Sequence, residues 1–408
     1  MSPFTFPHQT TRIASFLLAV SLLLAPAHSH AQAPSFVRGA DVSWCTEMES
    51  DGYVFYDSEG NETDLFALMK SIGMNTIRLR VWVDPQNAYG PWCDKADVVN
   101  KAVRAAEQGL SVMIDFHYSD FFADPSRQNK PAAWSGYSIS QLAQAIEDHT
   151  VDVLQALDSA GVTPAWVQVG NETTNAMLWD STSDETYLWY TSAGTWDTYA
   201  TLSNAGYDAV KSVFPDAYVI VHIDKASTQR TWWWSAFTAA GGKFDMIGLS
   251  HYPSTSYATE NTNAAKYAQA LADTYDVPVM IVEVGYSSDD EDVADAVISD
   301  VFSKVRAQED IVGIIYWEPE VYNWWKPAYY YTLGWNAYSL GAFTSAGAPS
   351  AALNAFYEDA LADGITRVST DTPSEQACYN LQGQRVPDTT PGLLIQTGPD
   401  GTRKVLRR

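Results

Sequence analysis

The stretch W-V-Q-V-G-N-E-T-T-N, Trp166 to Asn175, sets the reading of the whole chain. Its first half, Ala165 to Val169, is a short apolar run of the kind that becomes a strand buried on both faces of a parallel sheet. Gly170 ends the run, and Asn171-Glu172 then stand where such a strand hands over to its loop. In a parallel barrel, chemistry is done at that end of the strands. Taken alone, Glu172 reads equally well as a solvated loop carboxylate. A second glutamate changes the balance. Glu283, in V-P-V-M-I-V-E-V-G-Y, also closes an apolar run just ahead of a glycine. Two carboxylates at two strand ends meet the requirement for cleaving a glycosidic bond.

Outward from these two points, apolar runs alternate with helical patterns from residue 36 onward. Strands are expected at Arg38 to Ser43, Asn75 to Val81, Ser111 to Phe116, Ala165 to Gly170, Tyr218 to Ile223, Asp245 to Ser250, Val277 to Glu283 and Val312 to Trp317. Helices are expected at Asp64 to Ile72, Ala96 to Gln108, Ser140 to Ser159, Trp196 to Val213, Gln229 to Ala239, Asn263 to Tyr275, Asp290 to Gln308 and Ala348 to Leu361. Eight strand–helix units over residues 32–362 match an α/β fold of the (β/α)8 TIM-barrel type. An open doubly wound sheet would carry a glycine-rich phosphate turn after its first strand, and G-A-D-V-S-W-C is not one.

Composition narrows the partners. A formal net charge of -25 argues against nucleic acid and anionic membrane surfaces, and favours a neutral substrate over a polyanion. Fifteen Trp and twenty-three Tyr supply flat rings that serve equally as core filling or as sugar platforms. Residues 1–31 read as a signal peptide, with Arg12, the apolar stretch Ser15 to Ala25 and small residues before Ala31. Export to the periplasm or the cell exterior is therefore expected. Three cysteines make no disulfide framework; Cys45 and Cys93 either pair or remain buried thiols.

Residues 363–408 change character. Thr370 to Ser374 reads as a linker, and two strand-rich segments follow, Ala377 to Val386 and Gly392 to Leu406, with a turn at Pro399-Asp400-Gly401. The run Y-N-L-Q-G-Q-R-V … G-L-L-I resembles a small C-terminal β-module found on many exported Bacteroidetes proteins, which acts as a packing appendage or a sorting signal.

The other strand ends offer polar groups that an apolar core does not need. Arg80 is placed to charge-stabilise a nearby carboxylate, although Arg78 lies on the same face and pattern does not separate the two. His117 reads as a structural histidine or a site residue, and Asn171 as a donor to a sugar hydroxyl. His251 and Tyr252 end the sixth strand, with Tyr252 placed to bond the nucleophile; Trp317 reads as a sugar floor or as core. Carboxyl groups about 5–5.5 Å apart would make Glu172 the general acid/base and Glu283 a nucleophile held ionised by Arg80 and Tyr252. There is no zinc-type ligand spacing, phosphate cradle or nucleotide fingerprint.

The strings G-A-D-V-S-W, I-R-L-R-V-W-V-D-P, D-F-H-Y-S-D-F-F-A-D-P, V-Q-V-G-N-E-T-T-N, V-E-V-G-Y and G-I-I-Y-W-E-P-E resemble glycoside hydrolase family 53, the arabinogalactan endo-β-1,4-galactanases. The resemblance runs in order from about Arg38 to Leu361. It implies a retaining (β/α)8 enzyme that hydrolyses internal β-1,4 bonds in galactan side chains of pectin. It places the acid/base on Glu172, the nucleophile on Glu283, and other site positions on Arg80, His117, Asn171, Tyr252 and Trp317. Two departures stand out, His251 where a second Tyr is expected and Phe122 where Trp is expected; both bear on sugar subsites. Some bacterial members carry a structural calcium in the loop after the eighth strand. Asn323 and Asn336 lie there, but carboxylates are sparse, so no metal or other cofactor is expected.

Two other readings compete. One is a retaining endoglycanase on mannan or glucan, since subsite loops set the substrate. The other is a carbohydrate-binding barrel without activity, against which both glutamates argue. A groove open to a polysaccharide works in a monomer, with no nucleic-acid or membrane partner.

Overall fold

The computed structural model describes residues 35–85, 90–188, 193–327 and 339–363, together with the backbone of four short strands beyond residue 376. The expected leader at residues 1–31, the linker Thr370 to Ser374 and Asn336 lie outside the described residues.

Eight parallel strands close into a barrel: β1 (Val37–Asp41), β2 (Thr76–Val81), β3 (Ser111–Phe116), β4 (Trp166–Val169), β5 (Tyr218–Ile223), β6 (Met246–His251), β7 (Val279–Val284) and β8 (Ile311–Trp317). Each strand pairs with the next in the chain, and β1 pairs with β8 to complete the ring. Helices α1 (Leu65–Ser71), α2 (Lys95–Glu107), α3 (Ile139–Ser159), α4 (Ala193–Val213), α5 (Thr231–Ala239), α6 (Tyr257–Tyr275), α7 (Glu291–Arg306) and α8 (Asn354–Ala362) follow the strands in turn. Helix α6 begins six residues ahead of its expected start, because Tyr257 to Thr262 is polar and lacks the apolar spacing that marks a helix in sequence. The loop after β1 also folds a short helix, Cys45–Ser50, and a small hairpin, Phe55–Tyr56 with Glu62–Thr63. Its turn, Asp57 to Asn61, is closed by the Asp57 carboxylate.

Strand alternation sorts the side chains. Ile77, Leu79 and Val81 of β2 and Val112, Ile114 and Phe116 of β3 face the helices and join the main core. Inside the barrel, Val37, Met113, Trp166, Ile220, Met246, Met280, Val282 and Ile315 form a separate apolar floor. A side chain at Gly313 would meet Val37 at 2.4 Å, so glycine is what lets Val37 fill the tube there. Above this floor seven strands turn a buried polar residue inward, Asp41, Arg78, Asp115, Gln168, His222, Ser250 and Glu283, and β8 supplies the half-buried Trp317. The tube is thus dry below and charged at its C-terminal mouth.

The last helix is tied back to the first strand. Arg38 donates to Asp359 at 3.0 Å and to Asp363 at 2.6 Å, and Arg306 holds the same two carboxylates. Beyond the barrel, the four short strands pair antiparallel in the order Arg385–Val386, Ala377–Tyr379, Gly392–Gly398, Gly401–Arg407.

Candidate active site

Glu172 reaches the mouth because the chain turns sharply after β4. Gly170 takes a φ of +86°, and Glu172 itself sits in the left-handed region at φ 45°, ψ 50°. A residue other than glycine, asparagine or aspartate held there is a strained position of the kind found at functional sites. The turn is secured by Gln128, whose Nε2 donates to the Asn171 carbonyl at 2.8 Å, and by the Glu172 N–H, 3.3 Å from His222 Nδ1.

Glu283 reaches the same space by a different device. With strict alternation it would share the outward face of Val279 and Ile281. Pairing with β6 runs Leu249 to Ile281 and then Ser250 to Glu283, and pairing with β8 jumps from Ile281 to Val284. Both neighbours slip past Val282. A one-residue slip moves a side chain to the other face, and this irregularity turns Glu283 inward.

A carboxylate oxygen of Glu172, one of Glu283 and a ring nitrogen of His222 lie within 4.8 Å of one another. Both ring nitrogens of His222 are already committed: Nδ1 lies 2.9 Å from Gln168 Nε2, and Nε2 lies 2.7 Å from Ser250 Oγ. Two donors, Gln168 Nε2 and the Glu172 N–H, converge on Nδ1, which assigns the proton to Nε2 and makes it a donor to Ser250. Burial, reinforced by the Arg78 charge, keeps this imidazole neutral, well below its ordinary pKa. Ser250 Oγ then donates to Glu283 Oε2 at 3.3 Å and also bonds Glu172, standing between the two acids.

Arg78 is the hub of the layer beneath. Its Nη1 donates to Asp41 at 2.8 Å. Its Nη2 donates to Asp115 at 2.8 Å and Asn171 at 2.9 Å, and stands 2.9 Å from Glu283 Oε1. The expectation that Arg80 holds Glu283 is corrected. Arg80 pairs with Glu318, and its guanidinium lies 4.2 Å from the centre of the Trp44 ring and 4.5 Å from that of Phe122. Both arginines point inward, as their spacing requires, but Glu318, from the loop after β8, engages Arg80 before it can reach β7.

The remaining expected residues divide. Tyr252 is 40% exposed and its hydroxyl donates to Glu283 Oε2 at 2.8 Å. Trp317 is half-buried beside it, edge-on at 6.3 Å. Asn171 offers its amide oxygen to Arg78 and donates to the Ala123 carbonyl at 2.8 Å. His117 is buried; its Nδ1 accepts from the Ala123 N–H at 2.9 Å, so Nε2 donates to Asp115 at 3.0 Å, and the ring braces Arg78's partner from below the mouth. His251 is not brought to the cluster. One residue past inward-facing Ser250, it points at α6 and bonds Asn261 at 2.7 Å. Phe122 packs edge-on to Trp317 at 6.4 Å and over Arg80. Cys45 and Cys93 are free buried thiols, not a disulfide.

Charge separates the two glutamates. Burial, then the facing charge of Glu283, pushes the Glu172 carboxyl well above the ordinary range. Burial also raises Glu283, and the charges of Asp115 and Asp41 add to that, but unlike Glu172 it has Arg78 and the Tyr252 hydroxyl to offset part of the rise. When two close carboxyls share one proton, it settles on the one with no cation, here Glu172. Asp115 would also be raised by burial, yet Arg78 and His117 outweigh that and hold it below the usual range. A proton-holding acid thus faces a carboxylate kept anionic.

A family model described as glycosyl hydrolase family 53 matches residues 37–300, which include both glutamates. The chain belongs to glycosyl hydrolase family 53. Among sequence relatives of this family-53 chain, an arabinogalactan endo-beta-1,4-galactanase of Cellvibrio japonicus is 35% identical over 66% of the chain and 71% of its own length. An endo-beta-1,4-galactanase of Bacillus subtilis is 31% identical over 63% of the chain, which spans only 58% of that protein. In structure, the family-53 barrel resembles one from a study of two fungal beta-1,4-galactanases, with a TM-score of 0.68 and 26% identity over 79% of this chain and 99% of that one. It also resembles the GH53 catalytic domain of Ignisphaera aggregans, with a TM-score of 0.65 and 28% identity over 79% of this chain and 96% of that one.

Sequence reading did not single out His222, Ser250, Asp41, Asp115, Gln168, Glu318 or Glu320. A signal was present. Each is a polar residue inside or just beyond an apolar strand run, at the inward register of its strand or in the loop that follows.

Proposed function

We propose that this family-53 chain is an exported endo-β-1,4-galactanase that cleaves internal bonds of galactan side chains in pectin with retention of anomeric configuration. The observation that carries the mechanism is the approach of Glu172 and Glu283 to within 4.8 Å between carboxylate oxygens. That spacing suits direct attack and leaves no room for the water an inverting pair needs. The activity is supported by the galactanases among its relatives.

Glu283 is the nucleophile. Its Oε2 is engaged by Tyr252 and Ser250, while Oε1 accepts no hydrogen bond from any described residue and keeps its lone pairs for attack on the anomeric carbon. Glu172 protonates the departing glycosidic oxygen as that bond breaks. It then takes a proton from water as the galactosyl–Glu283 ester is hydrolysed. Tyr252 and Trp317 frame the bound sugar, and Asn171, whose amide nitrogen gives one hydrogen to the Ala123 carbonyl, has a second for a sugar hydroxyl.

Localisation rests on the leader-like residues 1–31. Among the described residues no helix is long and apolar enough to cross a membrane.

The test is reducing-end release from linear β-1,4-galactan, beside mannan, xylan and cellulose. Rapid shortening of galactan, lost in Glu172→Gln and Glu283→Gln with the fold intact, is expected. With azide and an activated substrate, Glu172→Ala should yield a β-glycosyl azide and Glu283→Gly an α-glycosyl azide. The reverse stereochemistry would overturn the roles, and preference for mannan or cellulose would overturn the substrate.

A further inference from the structure

A cavity of about 540 Å³ lies on the flank of the barrel, between the loops that follow β2 and β3 and the first turns of α3. It shares no residue with the cluster around Glu172 and Glu283. Its volume falls in the range of ligand sites. We propose that it is a second sugar-binding site, which holds a segment of the neutral polysaccharide chain outside the catalytic mouth.

The lining is arranged for a chain. Gln141, Gln144, Asp148 and Asp152 recur at three- and four-residue intervals along one face of α3. That row extends roughly 16 Å at the rise of an α-helix, too long for a small ion and suited to an elongated ligand. The capping box of Ser138 and Gln141 fixes the start of the helix, and so the row. Opposite stand two rings: Trp134, nearly buried in a 3-10 turn (Ala132–Trp134), and Tyr137, 39% exposed. An exposed flat ring with a polar tip packs against the apolar face of a sugar while amides and carboxylates take its hydroxyls.

The charges exclude other ligands. No lysine or arginine lines the cavity, so an anion has no permanently charged partner there. Asp152 is already neutralised by Lys95 Nζ at 2.7 Å, and Asp148 accepts from Gln144 Nε2 at 2.9 Å, which leaves no bare anion to draw a small cation. His149, edge-on to Trp134 at 6.2 Å, has a buried Nε2 without a hydrogen-bond partner, a polar atom left unmatched by the protein itself. Burial holds its pKa at about 4, so the lining carries no imidazolium at neutral pH.

That the chain bound here is galactan rests on the reading above; the existence of a sugar site does not. The test is native electrophoresis through galactan-containing gel, with the full chain carrying Glu172→Gln so that the gel is not digested. Tyr137→Ala and Gln144→Ala are exposed changes, expected to leave the unfolding midpoint unmoved. Each should weaken retention by galactan about ten-fold, the scale of one lost ring contact for Tyr137 and of one lost hydrogen bond for Gln144. In the otherwise native enzyme, the same substitutions should leave hydrolysis of a short galacto-oligosaccharide unchanged. Retention equal to the parent's, loss of activity on the short substrate, or a parent retained by no glycan would each overturn the site. A parent retained by mannan or glucan gels instead, with retention still lost in Tyr137→Ala, would keep the site and overturn galactan as its ligand.

Discussion

Arg78 Nη2 and Glu283 Oε1 stand 2.9 Å apart, joining the second strand of the barrel to the seventh. With Glu283 as the proposed nucleophile, Arg78, which opposes its protonation, should set the low-pH edge of the reaction. Arg78→Lys keeps a charge but loses the fork that serves several carboxylates at once. The acid limb of kcat/KM should move up by about one pH unit as Glu283 takes its proton more easily. Arg80→Lys, whose partner is Glu318, should leave that limb where it is and lower the unfolding midpoint instead. A pH–rate profile of both variants decides between them.

Tyr252→Phe removes the hydroxyl that donates to Glu283 and retains the ring against Trp317. A hydrogen bond to a charged group is worth about 1.5–3 kcal/mol. The expected result is a kcat lowered roughly ten- to a hundred-fold with KM little changed. A fall in affinity with kcat intact would assign the residue to sugar binding alone.

Glu318 and Glu320 form a second buried acid pair, away from Glu172. Burial, against the pull of Arg80, raises Glu318 to about 8. Burial and then the charge of Glu318 push Glu320 well above the ordinary range. The folded state therefore binds more protons than the unfolded chain between the ordinary glutamate pKa and about 8. Stability from this source is full below that window and declines as pH rises through it. Thermal unfolding from pH 5 to 9 should show the decline in the parent and a flatter course in Glu318→Gln. An equal slope in both would remove Glu318 as its source.

His251 faces α6, so His251→Leu should act on stability. It leaves the buried Oδ1 of Asn261 without the His251 ring nitrogen, at a cost of about 1–3 kcal/mol, while Nδ2 keeps its bonds to Val297 and Asp300. KM for galactan should be unchanged; a raised KM would return His251 to the sugar site.

Much of this was legible in the sequence, and the rest was hidden for particular reasons. β3 and β5 fall on their expected residues because strands buried on both faces are continuous apolar runs. Glu172 and Glu283 stood out because a carboxylate that ends such a run breaks its pattern. Arg78 and Arg80 were inseparable because period two gives a face but not a depth. Their roles were decided by Glu318, more than two hundred residues away. The inward turn of Glu283 depends on a slip in pairing with both neighbours, which no single strand's sequence records. His251 was misplaced because proximity to Tyr252 in the chain says nothing about which side of the sheet it takes.

The partners of Arg78 come from β1, from β3, from the loop after β4 and from β7. No half of the ring contains them all; the shortest run of neighbouring strands that does passes from β7 through β8 and β1 to β4. An arginine stripped of water is tolerated only once its carboxylates surround it, and the apolar floor below offers nothing in their place. During folding the guanidinium must therefore stay hydrated until residues nearly as far apart as the two ends of the barrel have met. Closure and dehydration of the centre become a single late event, and a half-barrel fragment cannot rehearse it.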